Sequence, residues 1–188
     1  MKYRKIAAMA ALVLLSVSVV RSDDDAEQKK TKIRAGVTET LNDLYKIQPS
    51  AKGAIQSSAG YAVFKNFGTN LLVVSTGSGA GVAVNSKSKQ ETFMKMISGG
   101  AGLGVGVKDF RAVFVFQTQK AFDDFLSSGW SGSAQTDAAA KAGTSGGALS
   151  GAIEVSPDTY VYQITKNGLA LQATLQGTKY YKDDDLNK

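Results

Sequence analysis

The chain of 188 residues has no cysteine and no histidine. It therefore cannot form a disulfide, a thiolate or imidazole metal site, a cysteine nucleophile or a Ser-His-Asp triad. Carboxylate, serine, lysine or tyrosine chemistry stays open. However, the adjacent Asp123 and Asp124 would point about 100° apart on a helix and would not converge as an acid–base pair. The sequence predicts no catalytic residue, no metal site and no cofactor.

Acidic residues are fewer than basic ones, 16 against 22. Four of the basic residues lie within residues 1–22, where a basic start precedes a 15-residue apolar run, 6–20. This layout is typical of a signal peptide and is short for a transmembrane helix. The rest of the chain carries 18 basic and 16 acidic residues, too balanced for nucleic-acid binding. We expect cleavage near Ser22 and a periplasmic or secreted protein, peripheral to a membrane.

Runs of three aspartates occupy residues 23–25 and 183–185. The carboxylates within each run repel one another and favour hydration. Neither run has the spaced oxygen ligands and the turn glycine of a calcium-binding loop. We therefore expect a flexible acidic and basic lead-in over residues 23–30, a folded domain over residues 31–178 and a flexible acidic tail over residues 179–188.

Two N-terminal helices are predicted ahead of the sheet. The first covers residues 26–48 and ends before Pro49, and the second covers residues 50–58 and ends at Gly60. The apolar stripe of the first helix has the spacing of one helical face and is formed by Ile33, Val37, Leu41 and Leu44.

Beyond Gly60 the apolar period changes from about 3.6 residues to 2. Strands are predicted over residues 61–65, 71–76, 79–85, 92–98, 103–108, 112–117, 148–155, 159–165 and 169–175. A short helix over residues 120–127 interrupts them and ends at Gly129. The prediction is an α+β fold in which N-terminal helices are followed by a curved, mainly antiparallel β-sheet or small β-barrel with one short inserted helix.

Seven glycines alternate along two of these strands: Gly77, Gly79, Gly81, Gly100, Gly102, Gly104 and Gly106. Each glycine weakens a strand by about 0.5–1 kcal/mol relative to alanine, so the alternation needs a structural reason. A close backbone neighbour or sharp sheet curvature would supply one. Strict alternation matches neither a dinucleotide-binding fingerprint nor a P-loop. We therefore interpret these glycines as structural.

Several short motifs follow one another in a fixed order: Leu44-Tyr45, Pro49-Ser50-Ala51-Lys52, Gly60-Tyr61-Ala62-Val63-Phe64, Phe125-Leu126, Gly129-Trp130, Val161-Tyr162 and Gly168-Leu169. In this order, the chain from Thr31 to Gly177 resembles the SYLF domain family, which includes bacterial secreted members. The resemblance implies a β-rich domain with an N-terminal helix that binds phospholipid, with phosphoinositides bound by eukaryotic relatives and actin by a yeast relative. It implies no catalysis. Lys65 departs from the family pattern, which usually has proline there.

Basic side chains are the candidate lipid contacts, and they are Lys29, Lys30, Lys32, Arg34, Lys52 and Lys65. The first four cluster on the N-terminal helix, whose apolar stripe we expect to pack on the core. At about 1 kcal/mol per basic residue near an anionic surface, they would contribute about 4 kcal/mol, which corresponds to reversible attachment. We therefore expect a non-enzymatic phospholipid-binding module of the bacterial cell envelope, with peripheral and salt-sensitive binding to acidic lipid.

Two alternatives stay open. The first is a structural or protein-interaction module of the periplasm without lipid binding, whose partner is another envelope protein. The second is an outer-membrane barrel, although the predicted strands of five to eight residues are shorter than the usual nine to eleven. Trp130 is either an interfacial anchor or, as we expect, part of the core.

Overall fold

A computed structural model of the chain describes residues 3–65, 77–98, 111–132, 147–165, 168–170 and 178–188. The chain divides into two compact units, Met1–Lys32 and Ile33–Lys188. The helices are α1 (Tyr3–Ile47), α2 (Ser50–Ser57) and α3 (Gln119–Ser128), with a 3-10 turn at Gly147–Leu149. The strands are β1 (Gly60–Lys65), β2 (Gly77–Asn85), β3 (Glu91–Ser98), β4 (Arg111–Phe116), β5 (Trp130–Ser131), β6 (Ile153–Ser156), β7 (Thr159–Thr165), β8 (Gly168–Ala170) and β9 (Thr178–Lys182).

The strands form one curved antiparallel sheet in the order β5-β9-β3-β2-β1-β4-β7-β6, with β8 also paired to β7. The α+β fold with N-terminal helices, a curved sheet and one short inserted helix is confirmed. Gly129 ends α3 with a φ of 69°, as its position in the sequence predicts. The predicted strands 71–76 and 103–108 lie outside the described residues, as does most of the predicted strand 169–175.

Three predictions of local structure differ from what the structure has. Residues 23–30 are helical rather than a flexible lead-in, and a Lys30–Glu27 ion pair of 2.8 Å supports the helix there. Residues 147–149 form a 3-10 turn, and strand β6 begins only at Ile153. The residues after 178 form β9 instead of the start of a flexible tail. Asp183 is buried because Lys95 neutralises its charge at 2.9 Å.

The two sides of the sheet have separate cores, which we call the α3 face and the α1 face. On the α3 face, Phe122 and Phe125 of α3 pack against alternate residues of the strands, among them Phe64, Phe114 and Tyr180. On the α1 face, Leu44 of α1 and Ala51 and Ile55 of α2 pack against the intervening residues, among them Val63, Val113 and Tyr162. The stripe expected from the sequence thus supplies Leu44, with Val37 and Leu41 beside it.

Two glycines of β2 lie unusually close to β1. A Cβ built on Gly79 would stand 2.7 Å from the backbone oxygen of Lys65 and 2.6 Å from Cε of Met96. A Cβ on Gly81 would overlap the backbone oxygen of Val63 and the Phe64 ring. Because no side chain fits between these strands, only glycine allows this approach. Gly100, Gly102, Gly104 and Gly106 lie outside the described residues.

Candidate functional site

Basic side chains form a row across the α1 face. The antiparallel register places Arg111 of β4 opposite Lys65 of β1, Lys65 opposite Ala80 of β2, and Ala80 opposite Lys95 of β3. Directly opposed residues of antiparallel strands project on the same side of the sheet. Tyr181 of β9 lies opposite Lys95 and ends the row. We call these three cations, Arg111, Lys65 and Lys95, the basic row.

Every member of the basic row has a carboxylate partner. Asp43 and Glu39 lie four residues apart on α1, and each binds a cation at 2.5 Å, Arg111 and Lys65 respectively. The Arg111 guanidinium beside Asp43 holds the pKa of that carboxyl below its usual value. Hydrogen bonding to Asp183 raises the pKa of Lys95. The row therefore anchors residues 39–43 of α1 on two neighbouring strands and the C-terminal residues on β3.

Arg34, another predicted lipid contact, also serves this anchoring. Its Nε lies 2.8 Å from the carboxylate of Glu91, and its guanidinium stands 5.1 Å from the centre of the Phe93 ring. Both contacts are made to β3. Two of the six predicted lipid contacts, Arg34 and Lys65, thus face the sheet and are engaged with carboxylates.

The other four predicted contacts lie on helices. Lys29, Lys30 and Lys32 belong to α1 within the unit Met1–Lys32, where Lys29 and Lys32 are exposed and Lys30 is paired with Glu27. Lys52 is exposed on α2, in the other unit. Within the unit Ile33–Lys188, Arg34 and Lys65 therefore both belong to the contact between α1 and the sheet. Lys52 takes no part in that contact.

Among the described residues from 24 onwards, whose side chains the structure describes, two large apolar side chains are exposed, Ile47 and Ile97, each at 42 %. Ile47 ends α1 and follows Lys46, whereas Ile97 lies near the end of β3, directly opposite Lys179 of β9. Our reading of the sequence did not single out either residue. The adjacent Tyr180 and Tyr181 were the available signal, because tyrosine favours strands and both lie in a segment that we expected to be a tail.

A cavity of about 370 Å³ lies beside α3. Phe116, Phe125 and Trp130 line its apolar side, and its polar rim includes Lys120, bound by Asp124 at 2.6 Å. The Trp130 ring stands 5.7 Å from that of Phe114, so the tryptophan packs against the core. Phe116 and Phe125 are almost completely buried, which leaves little aromatic surface open to a ligand.

The candidate acid–base residues do not converge. Asp123 accepts a hydrogen bond from Gln119 at 2.8 Å, and Asp124 binds Lys120. Both partners lie one turn earlier on α3, so these carboxylates support the helix. Within the residues that the structure describes, no cluster of carboxylates could hold a metal ion, and no helix is long and apolar enough to cross a membrane.

Two comparisons with known proteins find relatives of this chain. The family model Ysc84, described as Las17-binding protein actin regulator, matches residues 97–188. Beta cell expansion factor A of Aeromonas veronii is 34 % identical over 163 residues, which are 87 % of this chain. The chain spans 60 % of that relative's length. Both matches support the SYLF family for this chain.

Proposed function

We propose that the chain is a non-enzymatic module of the bacterial cell envelope that binds acidic phospholipid peripherally and in a salt-sensitive way. It would act in the periplasm or outside the cell, after cleavage of residues 1–22. Another envelope protein is a further possible partner, and phosphoinositide binding by relatives illustrates the kind of headgroup involved. Similarity to the SYLF family supports a binding role, and the surface of the described residues supports lipid as the ligand.

One observation carries the proposal: Ile97, a large apolar side chain exposed on the described surface, stands next to a lysine. It lies directly opposite Lys179 of β9. An apolar side chain enters the acyl boundary of a bilayer while a neighbouring lysine reaches the headgroups with its ammonium group. This pairing matches the chemistry of an acidic membrane surface better than that of a small soluble ligand.

The strength of binding is expected to depend on salt. Each lysine near an acidic surface contributes about 1 kcal/mol, and this attraction falls off within a Debye length of about 8 Å at physiological ionic strength. Lys29 and Lys32 are exposed on α1 and Lys52 is exposed on α2, so an anionic surface can approach all three side chains. Few contacts of this size give reversible attachment, since permanent anchoring needs more buried apolar surface.

Cosedimentation with lipid vesicles tests the proposal. The purified chain is mixed with vesicles of phosphatidylcholine alone, or of phosphatidylcholine with phosphatidylglycerol or cardiolipin, at low and high salt. We expect recovery in the pellet only with the acidic vesicles, and less of it at high salt. Equal recovery with both kinds of vesicle would contradict binding that depends on acidic lipid. No recovery with either kind would contradict the proposal as a whole and favour a protein-interaction module without lipid binding.

A matched pair of variants separates local contacts from net charge. Lys29→Gln with Lys32→Gln, and Lys87→Gln with Lys89→Gln, each remove two exposed lysines, the second pair from the turn between β2 and β3. The first double variant is expected to weaken binding to acidic vesicles about 30-fold. The second is expected to bind nearly as the unchanged chain does. Equal weakening by both would mean that only the net charge matters.

A further inference from the structure

We propose that a defined patch at the end of β3 and β9 on the α1 face is the surface that enters an acidic bilayer. We call it the Ile97 patch, and its members are Ser78, Ile97, Lys179 and Tyr181. This inference rests on the proposed function and adds to it the apolar contact with the membrane. None of these four residues is among the basic side chains that the sequence analysis selected.

The register of three strands brings the patch together. Ile97 lies opposite Lys179 on one side and opposite Ser78 on the other. Tyr181 follows Lys179 by two residues and therefore projects on the same face. The ammonium group of Lys179 stands 5.8 Å from the centre of the Tyr181 ring. Ser78, Ile97 and Lys179 are exposed, and Tyr181 is half-buried.

The chemistry of these side chains matches the boundary between headgroups and acyl chains. Moving the exposed surface of isoleucine out of water is favourable, by about 25 cal/mol for each Å² buried. Tyrosine places an apolar ring and a polar hydroxyl at the same boundary. Lysine extends its apolar stem along the surface while its ammonium group meets a phosphate. All three kinds of side chain occur here on one sheet face.

The charges around the patch favour an anionic surface. Glu91 is the only carboxylate in β2, β3 or β9, and it lies six residues from Ile97, about 20 Å along the strand. It is bound by Arg34. Asp183 follows β9 at the level of Phe93, about 13 Å from Ile97, and is buried against Lys95. The exposed Asp185 lies 3.5 Å from Lys95 and 3.2 Å from Lys188, so two cations compensate its charge. Lys179 therefore acts next to Ile97 with no nearby carboxylate on these strands.

Ile47 is the natural comparison because its exposure is the same, 42 %. Its surroundings differ: Asp43 lies one helical turn earlier on the same side of α1. The neighbouring Lys46 is itself 3.5 Å from Asp43. Because Lys46 is engaged by a carboxylate of this chain, whereas Lys179 is next to no carboxylate on its strands, we assign the bilayer contact to Ile97 rather than to Ile47.

The absence of cysteine from the chain makes a direct test possible. Ile97→Cys and Ile47→Cys are each labelled with a fluorophore whose emission shifts to the blue in apolar surroundings. With vesicles of phosphatidylcholine and phosphatidylglycerol, we expect a blue shift at position 97 and none at position 47. Urea unfolding of both labelled variants verifies that the sheet is intact. A shift at position 47 alone, or at neither position while the chain still cosediments, would overturn the inference.

Substitutions without a label give the second measurement. Ile97→Thr keeps a β-branched side chain in the strand, and Lys179→Ala removes one charge. We expect each to weaken binding to acidic vesicles about fivefold, whereas Ile47→Thr leaves binding unchanged. If the unchanged chain does not bind acidic vesicles, the proposed function itself fails. If it binds and both Ile97→Thr and Lys179→Ala bind equally well, only the Ile97 patch is wrong, and a protein partner becomes the better occupant of this surface.

Discussion

The two faces of the sheet are covered by helices in different ways. On the α3 face, aromatic rings dominate: the Phe114 ring alone lies within 6 Å of those of Phe64, Phe125, Trp130 and Tyr180. On the α1 face, apolar packing is joined by ion pairs from Arg34, Lys65 and Arg111. Aromatic packing is insensitive to salt and pH, whereas partly exposed ion pairs respond to both. The α1 face is therefore the side on which solution conditions act.

The largest effect is expected from Phe114→Ala on the α3 face. Phe114 is completely buried, and its removal leaves a cavity among four other rings. The free energy of unfolding, measured by urea titration, should fall by about 4 kcal/mol at any salt concentration. Leu44→Ala, the corresponding truncation on the α1 face, should cost about 3 kcal/mol. A loss below about 2 kcal/mol for Phe114→Ala would mean that the aromatic cluster does not dominate this face.

A second comparison uses the glycines. Gly81→Ala forces a Cβ against the backbone oxygen of Val63 and should lower the free energy of unfolding by about 2 kcal/mol. Gly53→Ala on α2 meets no atom within 4 Å and should raise it by about 0.5–1 kcal/mol. Urea unfolding of both variants gives the two signs. A neutral Gly81→Ala would show that β1 and β2 can separate without cost.

Alternation and composition in the sequence predict much of the fold, because they depend on neighbouring residues. The period of two correctly predicted strands β1, β2, β3, β4 and β7. Pro49 predicted the end of α1 to within one residue. Pairing partners depend on register between distant segments, which local pattern does not determine. The basic row is of this kind: Lys65 and Lys95 are far apart in the sequence, and only the pairing of β1, β2 and β3 places them in line.

The C-terminal segment shows the same limit. The three aspartates at 183–185 predict a hydrated tail, because the sequence alone does not show which cations pair with them. Asp183 is nevertheless buried because β9 lies beside β3 and brings Lys95 within 2.9 Å. Buried charges are tolerated when paired, and here the pairing is made by a distant strand. The Ile97 patch escaped prediction for the same reason, since Lys179 joins Ile97 only through this strand pair.

A third prediction concerns the pH dependence of the α1 face. Arg111 lowers the pKa of Asp43 in the folded chain below the usual 3.8. The ion pair therefore stabilises the fold fully above about pH 4, and this contribution is lost as the pH falls through the lowered pKa. Asp43→Asn should cost about 1 kcal/mol near neutral pH, and its difference from the unchanged chain should disappear in acid.

The control for this prediction is Asp124→Asn. Asp124 is also paired with a cation, Lys120, but both side chains are well exposed on α3. Exposed pairs within a helix add little stability, so no measurable change is expected at any pH. A pH-independent cost of Asp43→Asn would show that Asp43 contributes through packing rather than through its charge.

The smallest effects come from two buried tyrosines, one on each face. Burial raises the pKa of Tyr162 to about 12 and raises that of Tyr180 as well. The Tyr162 hydroxyl donates a hydrogen bond to the backbone oxygen of Ala148 at 3.2 Å, whereas no described residue hydrogen-bonds the Tyr180 hydroxyl. Tyr162→Phe should lower the free energy of unfolding by about 1 kcal/mol, because it removes a made hydrogen bond.

Tyr180→Phe should leave that free energy unchanged or raise it by up to about 1 kcal/mol, because it removes a desolvated hydroxyl while keeping the ring among Phe64, Phe114 and Trp130. Urea unfolding of the two variants under one condition measures the difference in sign. A loss for Tyr180→Phe as large as that for Tyr162→Phe would mean that the hydroxyl is hydrogen-bonded in solution. The α3 face would then hold a polar contact inside its aromatic core and would resemble the α1 face more closely than the ring contacts indicate.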